Sequence, residues 1–137
     1  MSKADSQKKG QESISSMYDQ IVQSVVGHLQ QQGFSSVKAN TNGFQKPTKI
    51  RWDEEDEGVV PDITGEHKGS VYVFEIETRD EIVPEKVEDR WRLLSVFAKR
   101  HHGKFYLVIP EQKAEYVQEV VDDLSVQPEF LKLRGID

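Results

Sequence analysis

Val71-Tyr72-Val73-Phe74-Glu75-Ile76-Glu77-Thr78 is the stretch that decides the fold. It is rich in β-branched and aromatic residues and has strand length. Two carboxylates interrupt its apolar run. Side chains alternate along a strand, so Glu75 and Glu77 share one face, and Tyr72, Phe74 and Ile76 form the other, a core face. Burying a carboxylate costs several kcal/mol (about 3–5 if left unpaired) unless something compensates it. The compensator is a divalent cation, a basic side chain, or water at the strand end.

The preceding run, Val59 to Thr64, reads as the partner strand, with a turn across Gly65 to Ser70. Asp62 follows Pro61 in it. An even loop, such as Glu66 to Gly69, puts Asp62 opposite Val73 and on the diagonal to Glu75, roughly 7 Å away. An odd loop turns it to the Phe74 face, unless a bulge restores the register. The expectation adopted is that Asp62, Glu75 and Glu77 converge.

Working outward, Ile14, Met17, Tyr18, Ile21, Val22, Val25 and Leu29 recur at helical steps, and Gly33 is placed to end that helix. Residues 1–11 are polar and read as a flexible N-terminal tail ahead of a single domain over 12–137. Phe34 to Asn40 reads as a strand, and Lys49 to Trp52 as a further one. Asp53 to Glu57 are five adjacent acids, read as an exposed loop. Pro84 opens a helix with Val87, Trp91, Leu94 and Ala98 inward, and Gly103 ends it. Phe105 to Ile109 is a buried strand, Ala114 to Leu124 a third helix, and Phe130 to Leu133 a closing strand. Strand, helix, strand from Val71 to Ile109 is a crossover unit, so those strands are parallel, while the hairpin before them is antiparallel. The fold class is α/β, a mixed sheet flanked by helices.

The 137 residues hold one ordinary domain. There are no cysteines, which excludes disulfides, thiolate metal sites and a Cys nucleophile. The net charge is −6, with 18 Lys and Arg against 24 Asp and Glu. That argues against a basic nucleic-acid coat but not against a local basic groove. No apolar run reaches membrane-spanning length and the N-terminus is polar, so a cytoplasmic protein is expected. His101 and His102 are adjacent and point about 100° apart on a helix, which suits dipole-favoured surface residues rather than a shared metal. No phosphate-cradling glycine loop is present.

Pro61-Asp62 followed by Glu75-Ile76-Glu77 resembles the P-D…(D/E)-x-K signature of the restriction-endonuclease-like superfamily. The αβββαβ order over Ile14 to about Pro110 is similar to that superfamily's core. VFEIET, DRWRLLSVFAK and KFYLVIP resemble an uncharacterised bacterial E-x-E-T group within it, with Arg90 before Trp91 where a glutamine is usual. The resemblance implies a Mg²⁺- or Mn²⁺-dependent nuclease acting on DNA more than RNA, as a homodimer or with a partner subunit. It implies Asp62, Glu75 and the Ile76 carbonyl as metal ligands. Glu77 stands where the motif has lysine, and would ligate metal or accept a proton. Lys86 and Arg90, four apart on the next helix, are candidates for the missing cation. Glu12, or else Asp19, would be the first-helix acid. The same features admit a catalytically inactive binding module of this fold, or a plain interaction protein whose strand acids are merely ion-paired.

Overall fold

The computed structural model describes residues 3–53 and 57–135, with side chains from residue 17 onward. Its first helix, α1, is Lys3–Gln31. The buried stripe is Ile21, Val22, Val25, Val26 and Leu29, as the periodicity requires. The helix nevertheless runs back to Lys3, through the stretch expected as tail. Residues 3–11 are Lys, Gln, Ala, Asp, Ser and a single Gly without proline, so helical backbone continues where no apolar stripe marks it. Gly33, at φ +90, accepts the left-handed turn that ends α1.

Five strands follow in sequential spatial order. They are β1 (Ser35–Ala39), β2 (Ile63–His67), β3 (Ser70–Ile76), β4 (Phe105–Pro110) and β5 (Glu129–Leu133). β1/β2 and β2/β3 are antiparallel; β3/β4 and β4/β5 are parallel. The parallel steps are made by α2 (Pro84–Arg100), and by a short 3₁₀ turn followed by α3 (Ala114–Asp122). This is the expected α/β architecture, a mixed sheet with helices on both faces.

Alternation along β3 and β4 gives two cores. Val73, Leu107 and Ile109 pack with Val87, Trp91, Leu94 and Ala98 of α2 and with Val117 and Val121 of α3. Phe74, Val108 and Ile63 pack under α1. Trp52 packs against the α2 side, as a core anchor.

Two expected strands change. Lys49 to Trp52 shrinks to one bridge, Ile50 with Val59. β2 begins at Ile63, not Val59, because Val59 is spent on that bridge and Pro61 has no N–H for the ladder. The hairpin turn is Lys68-Gly69, with φ of 51° and 83°. Two consecutive positive φ values are the backbone of a two-residue I′ turn, whose twist matches the strands. Of the acidic run, 54–56 lie outside the described residues.

Candidate functional site

The short hairpin sets the site. Its loop is even, as expected, but tighter, and the last ladder pair is Ile63 with Phe74. One step further Asp62 stands beside Glu75 itself rather than on its diagonal. The Asp62 amide donates to Glu75 Oε1 at 3.1 Å. The Ile76 amide donates to Asp62 Oδ2 at 2.8 Å. The Tyr18 hydroxyl donates to Asp62 Oδ1 at 2.7 Å. Asp62 thus bridges the strand ends, held by β3 on one oxygen and by α1 on the other.

Glu75 is buried, with only 6% of its surface exposed. Its face is that of Val73, toward α2, and Arg90 of that helix meets it. Arg90 Nε donates to Oε2 at 2.9 Å and Nη2 to Oε1 at 3.0 Å. Nη2 also donates to the Val60 carbonyl at 3.0 Å. The fork is a bidentate guanidinium–carboxylate pair. Burial pushes the Glu75 carboxyl up to about 6, with Asp62 adding to the rise, while the hydrogen bonds and charge of Arg90 pull it down. One guanidinium therefore does not fully offset burial and the neighbouring Asp62 carboxylate. Burial, and then Asp62, push the Tyr18 phenol well above its ordinary range, so it stays a proton donor.

Glu77 goes elsewhere. Only 3% of it is exposed, and its carboxylate accepts from the Arg79 amide at 3.0 Å, from Arg79 Nε at 3.0 Å and from Arg79 Nη2. Asp62, Glu75 and Arg90 converge, whereas the third expected acid, Glu77, is held by Arg79 and shares no hydrogen bond with the other two among the described residues. Among the described residues no three His, Asp or Glu side chains are gathered as a metal shell. Lys86 is exposed one turn before Arg90 and makes no ion pair among the described residues. Glu12 lies on α1, but its side chain is outside the described residues. Asp19 is near the site and accepts from Thr41 Oγ1 at 2.5 Å.

Two carboxylates and an adjacent peptide carbonyl form an oxygen donor set that suits a Mg²⁺-type ion, which keeps most of its waters. It does not suit an ion needing three side-chain ligands. Such an ion would compete with Arg90 for Glu75.

Tyr18 and Arg79 were missing from the expected site. Tyr18 sits in the α1 apolar stripe, where periodicity registers the ring and not its hydroxyl. Arg79 could have been found, since the two-residue period that pairs Glu75 with Glu77 continues to it. Tyr18→Phe should cost about 1.5 kcal/mol, the loss of one hydrogen bond to a charged acceptor, read as a lower urea midpoint with unchanged slope.

Searches of protein-family models, curated proteins and solved structures give no significant match to this chain. Among the described residues no helix is long and apolar enough to cross a membrane.

Proposed function

We propose that this chain has a restriction-endonuclease-like core and hydrolyses phosphodiesters, in DNA more than RNA, with Mg²⁺ or Mn²⁺ held by Asp62, Glu75 and the Ile76 carbonyl. The observation that carries the reading is the meeting of the Asp62 and Glu75 carboxylates on adjacent strand ends, one of them buried with its pKa raised. It supports the reading because an acidic pair crowded in low dielectric becomes cheap when a doubly charged ion sits between. When bound, that ion would polarise the phosphate and supply hydroxide near neutral pH. The chain's own groups do the positioning. Tyr18 and the Ile76 amide fix the two Asp62 oxygens. The Asp62 amide and Arg90 fix Glu75. Arg90 also brings positive charge to the strand ends, the role left open by Glu77 at the motif's lysine position. A chain of this length has little surface beyond its core, so a second copy or a partner subunit would complete substrate recognition.

The test is plasmid nicking with Mg²⁺ or Mn²⁺. Asp62→Ala and Glu75→Ala should each reduce the rate by about 100-fold or more, the loss of roughly 2.7 kcal/mol of transition-state stabilisation. Equal nicking by wild type and variants would mean a contaminant, and would overturn the assignment.

The Arg90 fork favours a second reading, a catalytically inactive binding module of the same fold, in which the guanidinium is a built-in substitute for the metal. Calorimetry separates the two. Mn²⁺ binding that is lost in Glu75→Ala supports the enzyme, and nucleic-acid binding without any Mn²⁺ heat supports the module.

A further inference from the structure

Glu77 is a buried carboxylate that the Asp62–Glu75 pair does not use. Its backbone is anchored, since its amide donates to the Val108 carbonyl at 2.9 Å and so extends the β3/β4 ladder by one step. Its side chain is saturated by a single neighbour, Arg79, through the amide, Nε and Nη2. Arg79 itself is 56% exposed. The segment between them is pinned from the other side. Lys113 Nζ donates to the Thr78 carbonyl, and to Asp80 Oδ1 at 2.9 Å. An arginine on a surface loop ordinarily samples many rotamers. Here the fork, the amide bond and the Lys113 clamp hold it in one place. Arg79 lies within electrostatic reach of Glu75, as does Arg90 on α2. Two guanidinium groups thus each hold one buried strand carboxylate, Arg79 on Glu77 from the strand's own continuation and Arg90 on Glu75 from the helix.

We propose that Glu77 is a positioning residue that mounts the Arg79 guanidinium at the end of β3 as an anchor for the backbone phosphates of a nucleic-acid strand. This rests on the reading that the site acts on a polyanion. Glu77 replaces the motif's lysine in two parts, an acid that is buried and a cation that it carries to the rim. Arg79 is more than half exposed and keeps N–H groups beyond those that Glu77 holds, on a planar group that suits a phosphate. A plain ion pair has no need of a buried acid, a backbone amide and a second clamp around one exposed arginine.

The sign of one substitution separates mounting from simple charge. Glu77→Gln removes a negative charge, which by charge alone tightens polyanion binding. If Glu77 works through Arg79, the same change loosens the guanidinium and weakens binding. The probe is a fluorescein-labelled DNA duplex, read by anisotropy in EDTA so that no strand is cut. Arg79→Ala should weaken binding about 5-fold and reduce the salt slope by about 0.9, the signature of one lost phosphate contact. Glu77→Gln should weaken it about 3-fold, and in an Arg79→Ala background should instead tighten it, because only the charge effect then remains. Arg79→Lys keeps the charge and loses the fork, and should also weaken binding; it carries the test should Glu77→Gln fail to fold.

Glu77→Gln binding more tightly than wild type, or Arg79 variants binding as wild type does, overturns the mount and leaves the proposed site standing. The expected pattern with no cleavage in Mg²⁺ overturns hydrolysis and leaves the mount. A wild-type chain that binds neither duplex nor single strand overturns both.

Discussion

Arg90→Met should lower the melting temperature by about 8 °C at pH 7.5, and by less than half of that at pH 5. Methionine keeps an apolar stem against α2, so most packing survives, while the charge and the guanidinium's hydrogen bonds to Glu75 and to the Val60 carbonyl are removed. What remains is Glu75, buried beside Asp62 without its ion-pair partner. Breaking a fully buried ion pair costs about 3–5 kcal/mol, and one partner here is partly in water, so about 2 kcal/mol is expected. For a chain of this size that corresponds to about 8 °C. The pH dependence follows from Glu75. Its folded value, about 6, lies above its ordinary 4.5, so protonation favours the folded state. In the wild type this group's contribution is greatest below about pH 4.5. It declines as pH rises towards 6, and is level above that. Removing Arg90 removes the influences that pull the carboxyl down, so the decline extends to higher pH. At pH 5 the carboxyl is already largely protonated in the wild type, and Arg90 has less charge to hold. Thermal melts of both proteins across pH 5–8 read this directly. An equal loss at pH 5 and pH 7.5 would mean that Arg90 contributes through packing only, and that the carboxylate pair is not the source of strain.

The part of this site that could be read in the sequence is the part that backbone periodicity controls. Glu75 and Glu77 interrupt an apolar strand two apart, which alone places them on one face. Pro84 marked the start of α2, and Val87, Trp91, Leu94 and Ala98 marked its buried stripe. The hairpin's parity was legible as an alternative between even and odd loops. Its length was not, because Gly65 and Gly69 both look like turn residues while only Lys68-Gly69 adopts the turn. Gly65 instead lies within β2, where a Cβ would meet Phe34 at 3.0 Å. Ion-pair choice was also hidden. Arg79, Lys86 and Arg90 were all within chain reach of the acids, and which of them bends to which acid is decided by tertiary packing. The single-stripe reading of α1 identified the face that packs on β1 and β2. It could not see that Tyr18, one member of that stripe, ends in the hydroxyl that orients Asp62.

The largest purely structural effect is expected at Gly103, and it bears on how the strand ends are held. Gly103 follows α2, where the chain turns back into β4. Its amide donates to the Ala98 carbonyl at 2.8 Å, and the carbonyls on either side of it accept from β3. His101 accepts from the Val71 amide at 3.2 Å and Lys104 from the Val73 amide at 3.1 Å. The turn is therefore laid directly over the start of β3. A Cβ at Gly103 would lie 1.7 Å from the Val71 carbonyl oxygen and 2.5 Å from its carbon. Those are backbone atoms, and Val71 is paired with Glu66 on the other side, so the strand has nowhere to move without breaking its ladder. Gly103→Ala should then cost about 3 kcal/mol or more, the upper end of overpacking costs, and lower the melting temperature by about 10 °C. Gly69→Ala is the informative comparison. A Cβ there meets nothing within 4 Å, but φ is +83°, so only the left-handed conformation is penalised, at about 1 kcal/mol. Urea unfolding of both variants should rank Gly103→Ala well below Gly69→Ala with similar slopes. A Gly103→Ala protein within 1 kcal/mol of wild type would mean that the turn can lift off β3. The register that sets Asp62 beside Glu75 would then have to be held by the hairpin alone.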